Sequence, residues 1–411
     1  MRATLRFTLL AGLLLLGAPA ARAAKDSCVD CHRGLDAPRL KAPAVGFAHD
    51  IHAERGLTCA ACHGGDPADP EPSAMDPDKG FKGAPGRAEI AGLCASCHAN
   101  VAFMKLYNPR PYVFSVAEWQ TSVHAKLAAQ GDLKVATCTD CHGVHGIRPP
   151  TDPAAPVFKT NVPRTCAKCH NADYMKDHAI RTDQFALYAK SAHGVALLEE
   201  GDASAPACND CHGNHGAAPP GLKDVAMVCG TCHGREAELF EGSRMKAGLD
   251  ALGKPGCVTC HGNHGVQHPT DAMLSAAPGG TCAGCHQPGS AAAQGTDAIV
   301  SGFQGLQNSV THADSLLQVA EVRGMETGPG REGLKVAQDA LVGVRAGLHS
   351  FDPKQIGAVL AEGAASSRKA TDCGREALRD WRNRRLGMVL SLVVILILIG
   401  LVVAKIRQIE K

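Results

Sequence analysis

The chain has 411 residues and nearly balanced charge, with 42 Lys and Arg against 40 Asp and Glu, which favours neither nucleic-acid binding nor general disorder. Aromatic residues make up only 4% of the chain, whereas there are 45 Gly and 24 Pro. Large side chains are therefore scarce for a core of this length. With 19 Cys and 20 His, the chain is expected to be held together by something other than side-chain packing.

The N-terminus predicts an export signal over residues 1–24. Two Arg in the first six residues precede an apolar run from Phe7 to Leu16, and Ala21-Arg22-Ala23 offers a cleavage site. An uncleaved N-terminal anchor is the alternative, although the apolar run is short for a membrane span. The signal places the following residues outside the cytoplasmic membrane, in the periplasm.

Eighteen of the 19 cysteines form nine Cys-x-x-Cys pairs, and a His follows each pair directly. This pattern is the attachment signature of c-type haem, because two thiols form thioethers with one porphyrin and the adjacent His becomes the proximal iron ligand. Structural zinc or a disulfide scaffold would not require that His. Nine covalent haems are predicted, at Cys28-Cys31-His32, Cys59-Cys62-His63, Cys94-Cys97-His98, Cys138-Cys141-His142, Cys166-Cys169-His170, Cys208-Cys211-His212, Cys229-Cys232-His233, Cys257-Cys260-His261 and Cys282-Cys285-His286.

A repeat organises these motifs into four copies after an unpaired first motif at Cys28. Its full form is Ser-x-His, a short loop, Cys-x-x-Cys-His-Gly-x-His-Gly and a second Cys-x-x-Cys-His. The second and third copies begin at Ser122 and Ser191, and the fourth begins at Ser243 with Met245 in the place of the His. A divergent first copy pairs the Cys59 and Cys94 motifs, with Asp66 at the position that corresponds to His145.

This alternation resembles the multihaem cytochromes c of anaerobic respiratory chains. The stretch Phe47-x-His49-x-x-His52 before Cys59 is similar to the low-potential tetrahaem and trihaem periplasmic cytochromes. The resemblance covers roughly residues 25–290. It implies electron transfer along closely stacked haems with two His ligands per iron, and exchange of electrons with a membrane quinol-oxidising cytochrome b.

The count of spare His agrees with two His ligands per iron. Beside the nine proximal His, the haem region holds nine more candidate distal ligands: His49, His52, His124, His145, His178, His193, His215, His264 and His268. The sequence does not assign them to irons, because one copy can lend a ligand to its neighbour. Met245 is one candidate for a thioether ligand to an iron of the fourth copy. The sequence favours the alternative, in which Met245 only packs and that iron is bound by His178, His268 or a His of the later bundle.

Residues 291–385 carry no haem motif and are predicted to form a small helical bundle, because apolar residues such as Leu317 and Leu334 recur at helical spacing. Its His312 and His349 are expected to be ordinary bundle residues, and Cys373 a free thiol. The nineteen uncharged residues from Leu386 to Ala404 predict a transmembrane helix, and residues 405–411 a cytoplasmic tail.

The predicted fold is mainly α with much irregular structure: a nonahaem cytochrome c module over residues 25–290, the bundle and one C-terminal transmembrane helix. The predicted function is electron relay in anaerobic respiration between a membrane quinone-linked partner, such as a cytochrome b, and soluble periplasmic cytochromes or reductases. An electron carrier is favoured over an enzyme, and no catalytic residue is predicted. The alternatives are direct quinol oxidation and reduction of a small nitrogen or sulfur substrate, of which the latter needs an iron with an open coordination position.

Overall fold

The computed structural model describes residues 26–219 and 225–410, so the predicted export signal lies outside the described residues. Within these ranges the secondary structure is helical and contains no strand, which confirms the mainly α fold with much irregular structure. The described residues form two compact units. One comprises residues 26–185 together with Ala196–Pro219, and the other comprises Ala186–Val195 and residues 225–410.

Short helices joined by irregular segments make up the part of the chain that carries the haem motifs. The helices are α1 (Ser27–Arg33), α2 (Pro38–Phe47), α3 (Ile51–Glu54), α4 (Ala60–His63), α5 (Ile90–His98), α6 (Val101–Met104), α7 (Ser115–Thr121), α8 (Val123–Ala129), α9 (Cys138–His142), α10 (Val162–Ala167), α11 (Gln184–Ala189), α12 (Ala192–Leu198), α13 (Cys208–His212), α14 (Val225–Gly230), α15 (Gly234–Glu241), α16 (Arg244–Ala251) and α17 (Gly256–His261). Single 3-10 turns lie at Pro72–Met75, Pro77–Lys79, Arg87–Glu89, Asp271–Leu274 and Thr281–Gly284.

Three long helices follow: α18 (Ala291–Val322), α19 (Gly328–Gly347) and α20 (Pro353–Ile409), with a 3-10 turn at Leu348–Ser350 between the last two. Helix α18 begins at the N-cap Ser290, and α20 begins at Asp352, whose carboxylate accepts hydrogen bonds from the N–H groups of Lys354 and Gln355. Both α18 and α19 pack along α20. The three helices form the small bundle that the sequence predicts, with α18 and α20 running in the same direction.

The bundle core is apolar and continuous. It consists of Leu306, Val310, Ala313, Leu317, Leu334, Ala337 and Ala370, all buried. A second cluster of Phe303, Val344 and Ile356 lies nearer to the start of α20. Cys373 packs against the first cluster, partly buried and free of any disulfide. The two ends of the bundle are identified by contacts: Gly295 lies beside Pro353, and the Arg323 guanidinium lies 4.5 Å from the Trp381 ring centroid.

Helix α20 continues beyond the bundle as a single helix whose C-terminal part is apolar and exposed. Among the described residues it is the one helix long and apolar enough to cross a membrane, with a mean hydropathy of 3.2 over its most apolar stretch and none of that stretch buried. At 1.5 Å per residue its 57 residues extend about 86 Å. The predicted transmembrane segment, Leu386 to Ala404, lies in the C-terminal part of α20.

Candidate haem sites

The haem motifs lie on short helical turns, which bring both thiols to one face. In α9, Cys138 and Cys141 are three residues apart and therefore neighbours on the helix surface, and His142 ends the helix. Gly143 then takes a φ of 87°, a left-handed conformation that disfavours residues with a Cβ. The Gly that follows the motif His in the other three copies, at Gly64, Gly213 and Gly262, has the same positive φ. The Gly after the motif His therefore ends the helix, which leaves the imidazole at the helix C-terminus.

Each of six motif imidazoles lies opposite an imidazole from outside the motifs, with ring centroids 6.0–6.2 Å apart. The pairs are His52–His98, His63–His145, His124–His170, His142–His215, His193–His233 and His261–His349. Two metal–nitrogen bonds of about 2 Å, with half a ring on either side, require roughly 6 Å between centroids. The spacing therefore fits one iron held between two imidazoles, the ligation that the motifs and the spare His predict.

Hydrogen bonds fix the orientation of several of these rings. The Nδ1 of His63 lies 2.8 Å from the Gly83 carbonyl oxygen, and the Nδ1 of His52 lies 2.7 Å from Oδ1 of Asp50. The motif imidazole of His212, which is not in the six pairs, has its Nδ1 3.2 Å from the Ala218 carbonyl oxygen. An Nδ1–H that donates to an oxygen places the lone pair on Nε2, which is the tautomer that a metal ligand needs.

Burial favours the neutral form of many of the paired imidazoles. It lowers the pKa of seven of them: His98, His124, His142, His145, His170, His193 and His261. Neighbouring imidazoles lower the pKa further at several of these positions, for example His215 beside His142. Because only the neutral ring can bind a metal, this environment prepares them as ligands.

The pairs follow two rules that the sequence left open. The first motif of a copy takes its partner from the His-Gly of the next copy, as in His63–His145 and His142–His215. The second motif takes its partner from the start of its own copy, as in His52–His98, His124–His170 and His193–His233. A copy is thus completed by its successor.

Backbone hydrogen bonds join successive copies at the same place. The N–H of the residue before the distal His donates to a carbonyl oxygen just after the next copy's His-Gly: Ile51 to Ile147 at 2.8 Å, Val123 to Ala217 at 3.1 Å and Ala192 to Val266 at 2.7 Å. The residue that precedes this donor is buried and caps a helix. Ser122 and Ser191 accept hydrogen bonds from the N–H groups of Ala125 and Gly194, both at 3.0 Å.

Asp50 occupies the capping position in the first copy, where the sequence analysis did not recognise it. It is 1% exposed, and its Oδ2 accepts hydrogen bonds from the N–H groups of Gly146 and Ile147 at 2.7 and 2.8 Å. Burial alone would raise the pKa of this carboxyl, but hydrogen bonds from His52, Gly146 and Ile147 outweigh it and lower the pKa to about 2. Asp50 therefore positions His52 and also joins the first copy to the second. In the sequence, Asp50 could have been recognised as the capping residue because Asp50-x-His52 has the same spacing as Ser-x-His in the other copies.

Several predicted ligands lie elsewhere. The Nε2 of His178 lies 2.8 Å from Oδ2 of Asp132, so this nitrogen is engaged. His49 and His268 are exposed, as is His312 on α18. In the described part of the chain, no imidazole lies in ring contact with His32 or His286. Nor do three His, Cys, Asp or Glu side chains of the described residues converge as a bare metal ion would require.

Met245 occupies the same local position as the distal His of the earlier copies. It is the second residue after the buried Ser243, whose Oγ accepts a hydrogen bond from the Lys246 N–H at 3.1 Å. His124 and His193 stand at the second residue after Ser122 and Ser191, and they pair with the second motif of their copies. The rule of the earlier copies therefore predicts Met245, rather than His178 or His268, as the partner of His286, and this assignment stays a prediction.

The motifs and paired imidazoles are those expected of a multihaem c-type electron-transfer cytochrome, and a family match supports this class. The family model described as cytochrome c3 matches residues 51–171. This range contains the motifs at Cys59, Cys94, Cys138 and Cys166 and the distal partners His52, His124 and His145. Comparison with curated proteins and with solved structures gives no match.

Proposed function

We propose that the chain is a membrane-anchored periplasmic cytochrome that relays electrons through nine c-type haems between a membrane quinone-linked partner and soluble redox partners. The six imidazole pairs carry this proposal. They are spaced for iron, eleven of the twelve rings are partly buried, and backbone hydrogen bonds link successive copies along the chain. Rigid, similar sites in a row are what electron relay requires.

Haem at these positions supplies one-electron chemistry, and the chain's own residues set its environment. Cysteines would hold each group, the paired imidazoles would ligate the iron at six motifs, and hydrogen bonds such as that from His63 Nδ1 to the Gly83 carbonyl oxygen fix the rings. Reduction of a nitrogen or sulfur substrate needs an open axial position. Paired imidazoles at six motifs leave none there, which favours the carrier over the reductase.

The length of the bundle bears on the quinol alternative. Helix α20 contains 33 residues between Pro353 and Arg385, which extend about 50 Å before the apolar segment begins. The His261–His349 pair lies at the opposite end of the bundle from Trp381 and the apolar segment. With Leu386 to Ala404 in the membrane, quinol in the bilayer would be too distant for direct electron transfer to this site. A separate quinol-oxidising partner is therefore favoured over direct oxidation.

Two measurements on the purified full-length protein test this function. Intact mass after denaturation is expected to equal the signal-cleaved chain plus nine haems, and seven or fewer haems in mature protein would contradict it. In detergent, a quinol analogue is expected to reduce the haems slowly, whereas dithionite reduces all of them. Fast, inhibitor-sensitive reduction by the quinol analogue alone would instead support a self-sufficient quinol dehydrogenase.

A further inference from the structure

The last complete imidazole pair has an unexpected member. His349 lies in the 3-10 turn Leu348–Ser350, which joins α19 to α20 in the helical bundle. Its ring centroid lies 6.1 Å from that of His261, and the two rings are inclined by 23°. Its Nδ1 lies 3.2 Å from the Ala346 carbonyl oxygen, which leaves Nε2 as the ligand atom. In distance this pair matches the pairs inside the repeat, and its interplanar angle is close to the 21° and 13° of the first-motif pairs His63–His145 and His142–His215.

The rule of the repeat explains why the bundle is involved. His261 belongs to the first motif of the fourth copy, and first motifs at His63 and His142 take their partner from the next copy. No fifth copy follows the Cys282 motif in the sequence. His349 stands where the His-Gly imidazole of a fifth copy would stand.

Aromatic packing holds the turn against the motif. The rings of Phe240 and Phe351 lie 6.4 Å apart, and Gly256, directly before Cys257, faces Phe240 so closely that a Cβ there would lie 2.5 Å from the ring. Phe351 takes a φ of 49°, a left-handed conformation that a bulky residue adopts only when its surroundings impose it. These contacts therefore hold the 3-10 turn of His349 in place against the segment that carries the Cys257 motif.

From these observations we infer that His349 is the sixth ligand of the haem attached at Cys257 and Cys260, and that the bundle closes the repeat by replacing its missing copy. This inference rests on the proposed function, since it requires haem at that motif. It differs from the expectation that His349 is an ordinary bundle residue. It also makes the bundle part of a redox site as well as a connection to the apolar segment.

The test compares His349→Ala with His312→Ala in the full-length holoprotein. His312 is a matched control, because it lies exposed on α18 of the same bundle. Haem count by intact mass is expected to stay at the wild-type value in both variants, since the thioethers are untouched. His349→Ala should convert one haem from low-spin to high-spin by electron paramagnetic resonance and bind one additional CO per reduced chain. Added imidazole should restore the low-spin signal, and His312→Ala should match the wild type.

Unchanged spin state and CO binding in His349→Ala at full haem count would overturn His349 as a ligand while leaving the haem proposal intact. A haem count of seven or fewer in the wild type would instead count against the proposed function. Should His349→Ala not accumulate, His349→Met decides: a new near-infrared sulfur-to-iron band is expected, and its absence from a folded, fully haem-loaded protein contradicts the inference.

Discussion

The haem region and the helical bundle build their interiors in different ways. Of the eleven buried hydrophobic residues described before residue 291, seven are Ala. The bundle instead buries Phe303, Leu306, Leu317 and Leu334 in continuous clusters. A chain of small residues and short helices cannot exclude water by itself, whereas long helices with a regular apolar stripe can. The comparison indicates that bound haems supply most of the core in the first region, whereas the bundle is packed by its own side chains.

The largest expected effect separates the two regions outright. When the full chain is produced without haem attachment, we expect residues 26–290 to be unfolded, because the haem that the cysteines and imidazoles would bind is missing. The bundle should remain folded on its own core. Limited proteolysis in detergent should then yield a resistant fragment that begins near Ala291. A haem-free chain that is protected throughout would show that side chains alone suffice and would remove the contrast.

A core substitution in the bundle should have the next largest effect. Leu317 is 0% exposed and packs closely against Gly330, where an added Cβ would lie 2.5 Å from the leucine. Leu317→Ala is expected to lower the free energy of unfolding of the bundle by about 2–5 kcal/mol. The haem spectra should not change. Hydrogen exchange of α18 and α19 measures this loss of stability.

The matched control is Val322→Ala at the end of α18, because this side chain is 85% exposed. It should change stability by less than about 0.5 kcal/mol. Equal losses in the two variants would mean that the bundle core contributes no more than its surface.

The sequence predicts the local features of the molecule but not the long-range contacts between its parts. Nine motif positions, the helical bundle and the apolar helix follow from spacing and periodicity, which are local properties of the chain. The assignment of His215 to His142 or of His349 to His261 does not, because it depends on which copy the chain brings alongside. Asp50 was missed since a carboxylate is not the usual capping residue of this repeat. The sequence gives no sign of the contact between His349 and His261, because the neighbours of His349 in sequence are those of a helix end and not of a haem motif.

The fourth copy, next to the bundle, offers a finer test of the contrast. If Met245 serves the iron of His286, that haem should have the highest potential, since Met/His ligation raises it. Axial ligands tune haem potentials over about 0.8 V, and Met245→His is expected to lower this one by on the order of 100 mV. This shift corresponds to about 2.3 kcal/mol per electron. A redox titration and the loss of the near-infrared sulfur-to-iron band provide the measurement.

Met227→His serves as the control for that variant, since Met227 is 74% exposed on α14. It should leave the titration and the band unchanged. If Met245→His also leaves both unchanged, Met245 only packs, and the fourth copy departs from the rule of the other three.

The smallest expected effect concerns the buried caps that position distal ligands. Ser191 is 1% exposed, and its Oγ donates to the Tyr188 carbonyl oxygen at 2.7 Å while accepting from the Gly194 N–H at 3.0 Å. Ser191→Ala leaves both backbone groups without this partner and should destabilise the haem region by about 1 kcal/mol. Because covalent haem and iron ligation hold His193 from its other side, the spectra should remain low-spin. The denaturant midpoint followed at the Soret band should fall, whereas Ser204→Ala, an exposed serine bonded only to Asp202, should leave it unchanged. Equal midpoints for the two variants would show that ligation alone positions His193, with no measurable contribution from the cap.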